Sequence, residues 1–139
     1  MAGLFAACNS DLPVSATTDV IPPGIHVTLT RVATHPFLAR YNIKVMVTTR
    51  TGCSATSDLF PDTGGVSRRN LYRAASGRFF VVGQFDVRRF DEETCLVELI
   101  EFRSLDRAIT FLGSFDVDRT GNWAFIPVGE RAERLFEKL

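Results

Sequence analysis

Apolar and polar residues alternate with a period of two along much of this chain, and this pattern constrains its fold more than any other feature. The alternation is clearest between residues 41 and 49, where every second residue is apolar: Tyr41, Ile43, Val45 and Val47. Residues 25 to 29 alternate in the same way. Successive side chains of a β-strand point to opposite faces of the sheet, so this spacing predicts strands with one buried and one exposed face.

Turn-forming residues separate further strand-like segments and predict hairpins. The turn Ala75-Ser76-Gly77 divides two such segments, and further turns are expected at residues 91 to 94 and 118 to 122. Residues 79 to 82 are apolar on both faces, which is typical of a central strand. The fold class predicted from these segments is mostly β, an antiparallel β-sandwich or barrel of about seven to nine strands.

One short pattern, Val or Leu followed by Gly-x-Phe-Asp-Val, occurs at residues 82 to 87 and again at residues 112 to 117. A glycine inside a strand allows a β-bulge or a close approach by an aromatic ring. Two copies are too few for a repeat array. The repetition predicts two structurally equivalent hairpins.

The two ends of the chain differ from the middle. Four apolar residues near the C-terminus follow a helical spacing, which predicts one short C-terminal helix packed on the sheet: Ala132, Leu135, Phe136 and Leu139. At the other end a Ser/Thr-rich stretch stops at Ile21-Pro22-Pro23-Gly24. We expect residues 1 to 20 to be a flexible N-terminal segment and residues 21 to 139 to be a single β domain, since 139 residues is an ordinary length for one domain.

The N-terminal run Leu4-Phe5-Ala6-Ala7-Cys8 resembles the lipobox of bacterial lipoproteins, with Phe5 in place of the usual Leu. The resemblance implies that Cys8 is a lipid anchor, that the residues after it form a tether, and that the protein lies in the periplasm or envelope. Only seven residues precede Cys8, and none is Lys or Arg. A signal peptide would therefore need residues upstream of Met1, and a cytoplasmic location is the alternative.

The chain has three cysteines, an odd number. Cys53 lies in a turn and Cys95 begins a strand-like run, so hairpins that bring them together would allow a disulfide. Such a bridge would stabilise the fold by about 4 kcal/mol on the loop-entropy model. The alternative is two reduced, buried thiols.

Charge and motif content argue against several classes of function. Sixteen basic residues balance 16 acidic ones, so no overall field attracts nucleic acid or an anionic membrane. His26 and His35 have no cysteine or carboxylate at metal-ligand spacing, and no Gly-x-Ser-x-Gly motif is present. We predict no catalytic residues, no metal site and no cofactor. A hydrolase would need a pocket in which His26 or His35 meets a carboxylate.

The irregular segment from Asp58 to Arg73 is the best candidate for contact with a partner. Backbone N–H groups at adjacent glycines can bind an anion together with guanidinium groups, and Arg and Tyr are common at protein interfaces. The predicted site for a partner or an anion comprises Gly64, Gly65, Arg68, Arg69, Tyr72 and Arg73.

The favoured function is a non-enzymatic binding or inhibitory module of the bacterial cell envelope, a small lipoprotein that contacts another protein. Two alternatives remain open. One is a cytoplasmic β-barrel that binds an anionic ligand or nucleic acid through its arginines: Arg68, Arg69, Arg73, Arg78, Arg88 and Arg89. The other is a hydrolase whose site has no recognisable motif.

Overall fold

The computed structural model describes residues 12–136 and contains eleven strands in two antiparallel sheets. Cys8 and Leu139 lie outside the described residues. The strands of the first sheet are β1 (Val14–Val20), β2 (Ile25–Ala33), β3 (Arg40–Thr49), β4 (Ser54–Asp58) and β5 (Asp62–Thr63). Those of the second are β6 (Arg69–Ala74), β7 (Phe79–Val82), β8 (Val87–Asp91), β9 (Leu96–Ile100), β10 (Ile109–Val117) and β11 (Trp123–Pro127). A single 3₁₀ turn spans Phe102–Ser104.

The two sheets form a sandwich, which confirms the predicted fold class. The order in the first sheet is β1-β2-β3-β4, with the short β5 also paired with β3, and the order in the second is β11-β10-β6-β7-β8-β9. Strand β7 is therefore interior, as predicted. The edge strands of the two sheets approach each other, β1 beside β11 and β4 beside β9.

The strand count exceeds the predicted seven to nine partly because of β1. Residues 14 to 20, expected to be flexible, pair with β2 along their whole length. Ala16 and Val20 on this strand are buried, whereas Ser15 and Thr17 face solvent and share hydroxyl hydrogen bonds with Thr30 and Thr28. Its Ser/Thr content therefore belongs to the exposed face of a strand rather than to a linker.

The main core lies between the sheets. Ile43, Val45 and Val47 of β3 are buried while Lys44 is exposed, so the predicted alternation is confirmed. The second sheet contributes larger side chains to the same cluster, among them Phe79. Burial of a side chain of this size stabilises the fold by roughly 1.5–3 kcal/mol.

A second apolar cluster covers part of the outer face of the second sheet. Its buried members come from β6, β7 and β8: Tyr72, Ala74, Phe80, Val82 and Val87. Side chains from the connection between β9 and β10, together with Phe136, pack over them. The second sheet is thus covered on both faces, which explains why residues 79 to 82 are apolar throughout.

The predicted C-terminal helix is not confirmed in the residues that the structure describes. After a turn at residues 128 to 130, residues 131 to 136 cross the outer face of the second sheet without forming a helix. Side chains of β6 and of the residue before it hold this segment: Arg68 donates to the carbonyl oxygen of Ala132 (2.8 Å), and Asn70 donates to that of Arg134 (2.6 Å). These donors occupy carbonyl groups that a helix would have paired along its own backbone.

The two copies of the Gly-x-Phe-Asp-Val pattern are not equivalent, contrary to the prediction. Residues 82 to 87 form the connection between β7 and β8, whereas residues 112 to 117 lie inside β10. Gly113 marks a bulge, where the register with β6 shifts and φ is +149°. A Cβ atom at this position would lie 2.5 Å from the carbonyl oxygen of Ile126, so the close approach of β11 requires glycine.

Candidate functional site

The predicted disulfide between Cys53 and Cys95 is confirmed, with the two Cα atoms 5.8 Å apart. Cys53 lies in the loop between β3 and β4, and Cys95 lies in the turn between β8 and β9. The bridge therefore joins the first sheet to the second where the edge strands β4 and β9 approach each other.

The backbone N–H groups of Gly64 and Gly65, predicted to hold an anion, are already engaged. Both donate to Oδ1 of Asp62, at 3.0 and 2.8 Å, and the Ser67 hydroxyl donates to Oδ2 of the same carboxylate at 2.5 Å. Asp62 and Ser67 are buried. The chain's own carboxylate thus occupies the place predicted for an external anion.

Arg69 lies in the interior and is only 3% exposed. Its guanidinium donates to the carbonyl oxygens of Phe60 (2.7 Å) and Ser67 (3.0 Å). Desolvation lowers the pKa of Arg69, an effect that the nearby Asp86 opposes. This arginine supports the loop before β6 rather than reaching toward a ligand.

Asp86 is the buried carboxylate that lies against Arg69, Arg88 and the backbone of Phe60. It is 2% exposed, and its Oδ2 accepts a hydrogen bond from the backbone N–H of Phe60 at 2.9 Å. The same oxygen lies 3.3 Å from Arg88, and Oδ1 lies 3.7 Å from Nε of Arg69. Gly83 leaves room for this arrangement, because a Cβ atom there would lie 2.5 Å from Nε of Arg69.

Arg68 points to the opposite, outer face, because consecutive residues of an extended chain face opposite ways. It shares that face with three other buried residues, and together they form what we call the polar row: Arg68, Asn70, Tyr72 and Ser114. Asn70 and Ser114 are fully buried. Burial lowers the pKa of Arg68, whereas burial and a hydrogen bond to Glu133 raise the pKa of Tyr72.

The six residues predicted to form one site are therefore not all brought together, although Gly65 and Arg69 line one small cavity. Gly64 and Gly65 surround Asp62, Arg69 lies in the interior, and Arg68 and Tyr72 belong to the polar row. Arg73 donates to the carbonyl oxygen of Pro22 at 3.1 Å. No single surface brings these six described residues together.

An open groove that the sequence did not reveal lies beside the connection between β7 and β8. We call it the Phe85 groove; its volume is about 1280 Å³. Four large apolar side chains line it and are strongly exposed: Phe60 (41%), Phe85 (69%), Leu99 (51%) and Leu135 (69%). They come from distant parts of the chain, so no local pattern could indicate the groove.

Arginine side chains also line the Phe85 groove. Arg89 pairs with Glu98 at 3.3 Å, and Arg103 pairs with Glu101 at 2.8 Å. The guanidinium of Arg134 lies over the ring of Phe136, 5.3 Å from its centroid. The groove thus combines an apolar surface with cationic side chains, a composition typical of protein interfaces.

His26 does meet a carboxylate, because its Nδ1 is hydrogen-bonded to Asp19. The two residues are register partners on the outer face of the first sheet, where their side chains are 47% and 61% exposed. Among the described residues no hydroxyl or thiol is hydrogen-bonded to His26, and the pair lies outside the Phe85 groove. The pair therefore lies on an open sheet face and not in a pocket.

Within residues 12–136 no group of three or more His, Cys, Asp or Glu side chains is placed to hold a metal ion. No helix in this part of the chain is long and apolar enough to cross a membrane. Comparisons with protein-family models, curated proteins and solved structures found no match. The class defined by the structure is an antiparallel β-sandwich with an apolar, arginine-containing groove.

Proposed function

We propose that this protein is a non-enzymatic binding or inhibitory module that contacts a protein partner through the Phe85 groove. The observation that carries the proposal is the exposure of Phe60, Phe85, Leu99 and Leu135 around one concave surface. A contiguous apolar patch costs free energy in water, and on soluble proteins it commonly marks an interaction site.

The arginines of the groove indicate which surface it would bind. Arg89 and Arg103 are already paired with glutamates, but these pairs are partly or fully exposed and contribute little to stability. Carboxylates of a partner could therefore replace the present glutamates at little cost. The partner surface that fits best is apolar at its centre with acidic residues at its rim.

The alternative of a cytoplasmic protein that binds nucleic acid or an anionic ligand has less support. Of the six arginines on which it depends, Arg68, Arg69 and Arg88 are buried, with exposures of 7%, 3% and 9%. A nucleic-acid surface needs exposed cations that reach phosphate groups. Arg68 and Arg69 also point to opposite faces of the second sheet, so they cannot act together on one backbone.

We further propose that the protein acts in the bacterial envelope, anchored by lipid on Cys8. The disulfide supports this location, because such bonds persist mainly in oxidising compartments such as the periplasm. The bridge uses two of the three cysteines, and Cys8 is the third. Mass spectrometry of the protein from its native cells tests the location. We expect a mature chain that begins at diacylated Cys8, whereas a cytoplasmic chain beginning with Met1 would contradict the location but not the groove.

The double substitution Phe85→Ser and Leu99→Ser tests the groove. Both side chains are exposed, so we expect the free energy of unfolding to change by less than about 1 kcal/mol. Affinity for the partner should fall at least about 30-fold, the effect of losing an apolar hot spot worth roughly 2 kcal/mol. The partner would be captured from native cells with the immobilised wild-type protein, purified, and titrated calorimetrically against both proteins.

Met46→Ser is the matched control. Met46 is 39% exposed, and it lies on the outer face of the first sheet, away from the groove. We expect this variant to bind the purified partner as tightly as the wild type does. If the double variant bound within about threefold of the wild type, a difference below 1 kcal/mol, the groove would not be the binding surface.

A further inference from the structure

We infer that the polar row on the outer face of the second sheet is a binding site for an extended peptide, which the chain's own residues 131 to 136 occupy in the free protein. The site adjoins the Phe85 groove, which is lined in part by Arg134, Leu135 and Phe136 of the same segment. Its hydrogen-bonding residues, Arg68, Asn70 and Tyr72, do not line the groove. The inference rests on the proposed function only in that both concern a protein partner.

The spacing of the donors fits an extended backbone. Arg68 and Asn70 are two residues apart, and they donate to the carbonyl oxygens of Ala132 and Arg134, which are also two residues apart. Residues at this separation in any extended chain lie roughly 6.6 Å apart. Because these hydrogen bonds reach only the peptide backbone, they would form equally with a different extended sequence.

Selectivity comes from two side chains of the bound segment. The Tyr72 hydroxyl donates to Oε2 of Glu133 at 2.5 Å, and Phe136 packs against the second apolar cluster. The site therefore selects a peptide in which a carboxylate is followed three residues later by an aromatic ring. Arg131 adds an anchor at the start of the segment by donating to Asp116 at 2.9 Å.

The composition of the polar row indicates that residues 131 to 136 are an exchangeable peptide rather than a permanent part of the core. Buried polar groups cost free energy unless they are hydrogen-bonded, and two donors of the row find acceptors in the backbone of the segment. The side chains of residues 132 to 135 are exposed, so few apolar contacts hold the segment in place. Segments with few buried apolar contacts open at low free-energy cost. A partner that supplies a matching extended peptide would take the place of residues 131 to 136.

A fluorescent peptide with the sequence of residues 130 to 139 tests this inference on the full chain. We expect fluorescence anisotropy to show weak binding to the wild type, because the chain's own segment competes. In the Arg131→Ala variant the anchor to Asp116 is lost while Arg68, Asn70 and Tyr72 remain. This variant should bind the peptide about fivefold more tightly, as expected when a partly exposed ion pair no longer favours the closed state.

A second peptide, carrying Glu133→Gln, tests the selectivity. Arg131→Ala should bind it several-fold more weakly than the original peptide, because Tyr72 would lose a charged acceptor. Adding Tyr72→Phe keeps the ring but removes the hydroxyl, so the two peptides should then bind equally. A merely structural role for Tyr72 would not change this preference.

Three outcomes would overturn the inference: equal peptide affinity for the wild type and Arg131→Ala, no preference for the Glu133 peptide when Tyr72 is present, or dimers of Arg131→Ala that exchange C-terminal segments. The last would assign the site to a second copy of the chain instead of a partner. Tyr72 does not line the Phe85 groove, so the Tyr72→Phe protein should bind the partner as the wild type does while it loses the preference between the two peptides. Its peptide binding and its partner binding therefore report on the two proposals separately.

Discussion

Replacing Cys53 and Cys95 together by serine is expected to lower the free energy of unfolding by about 4 kcal/mol. The bridged residues are 42 positions apart, so the bond closes a long loop and removes many conformations from the unfolded chain. It also joins β4 to β9, which approach each other without pairing as strands. Loss of the bond should therefore allow the sheets to separate at this edge before the rest of the sandwich unfolds.

Urea denaturation followed by circular dichroism measures this effect. Ser54→Ala is the matched control, since Ser54 is exposed beside Cys53 and its loss leaves the bridge intact; the free energy of unfolding of this variant should change by no more than about 0.5 kcal/mol. Adding a reductant should destabilise the wild type and the control but not the double variant. A loss below about 1 kcal/mol in the double variant would show that the bond contributes little to stability.

Asp86→Ala is expected to cost about 3–5 kcal/mol, because it leaves buried charges without a compensating partner. Arg69 and Arg88 both lie against this carboxylate, and the backbone N–H of Phe60 donates to it. Asp86→Asn should fall between the wild type and Asp86→Ala, since an amide oxygen can still accept from Phe60 but carries no charge.

Asp58→Ala provides the comparison for this series. Asp58 ends β4 and is exposed, so its loss should change the free energy of unfolding by no more than about 0.5 kcal/mol. All three variants can be compared by urea denaturation at neutral pH. Equal stabilities for Asp86→Ala and Asp58→Ala would contradict the role given to the buried carboxylate.

Strand periodicity predicted the sandwich because the alternation of side chains is a local property of the backbone. Strand β3 follows directly from it, and the three hairpins of the second sheet follow from the turn-forming residues between their strands. The C-terminal segment shows the limit of this reasoning. Its apolar spacing suits a helix, but Arg68 and Asn70 bind its carbonyl groups from 64 positions away in the sequence. A contact between residues so far apart in the sequence cannot be predicted from a local pattern.

The six residues of the predicted site do not share one surface, and strand periodicity explains why. Arg68 and Arg69 are adjacent in an extended segment, so they must face opposite sides of the sheet and cannot form one anion site. The Phe85 groove could not be predicted in the same way. Phe60, Phe85, Leu99 and Leu135 become neighbours only when the second sheet and the C-terminal segment are in place.

Site-specific photo-crosslinking at position 85 tests the partner-binding groove most directly. A benzoylphenylalanine in place of Phe85 keeps an exposed aromatic side chain in the groove, and the same group in place of Met46 serves as the control on the other sheet. Irradiation in the native cells should crosslink position 85 to one discrete protein and leave position 46 without that product. Equal crosslinking at both positions, or none at position 85, would contradict partner binding at the groove.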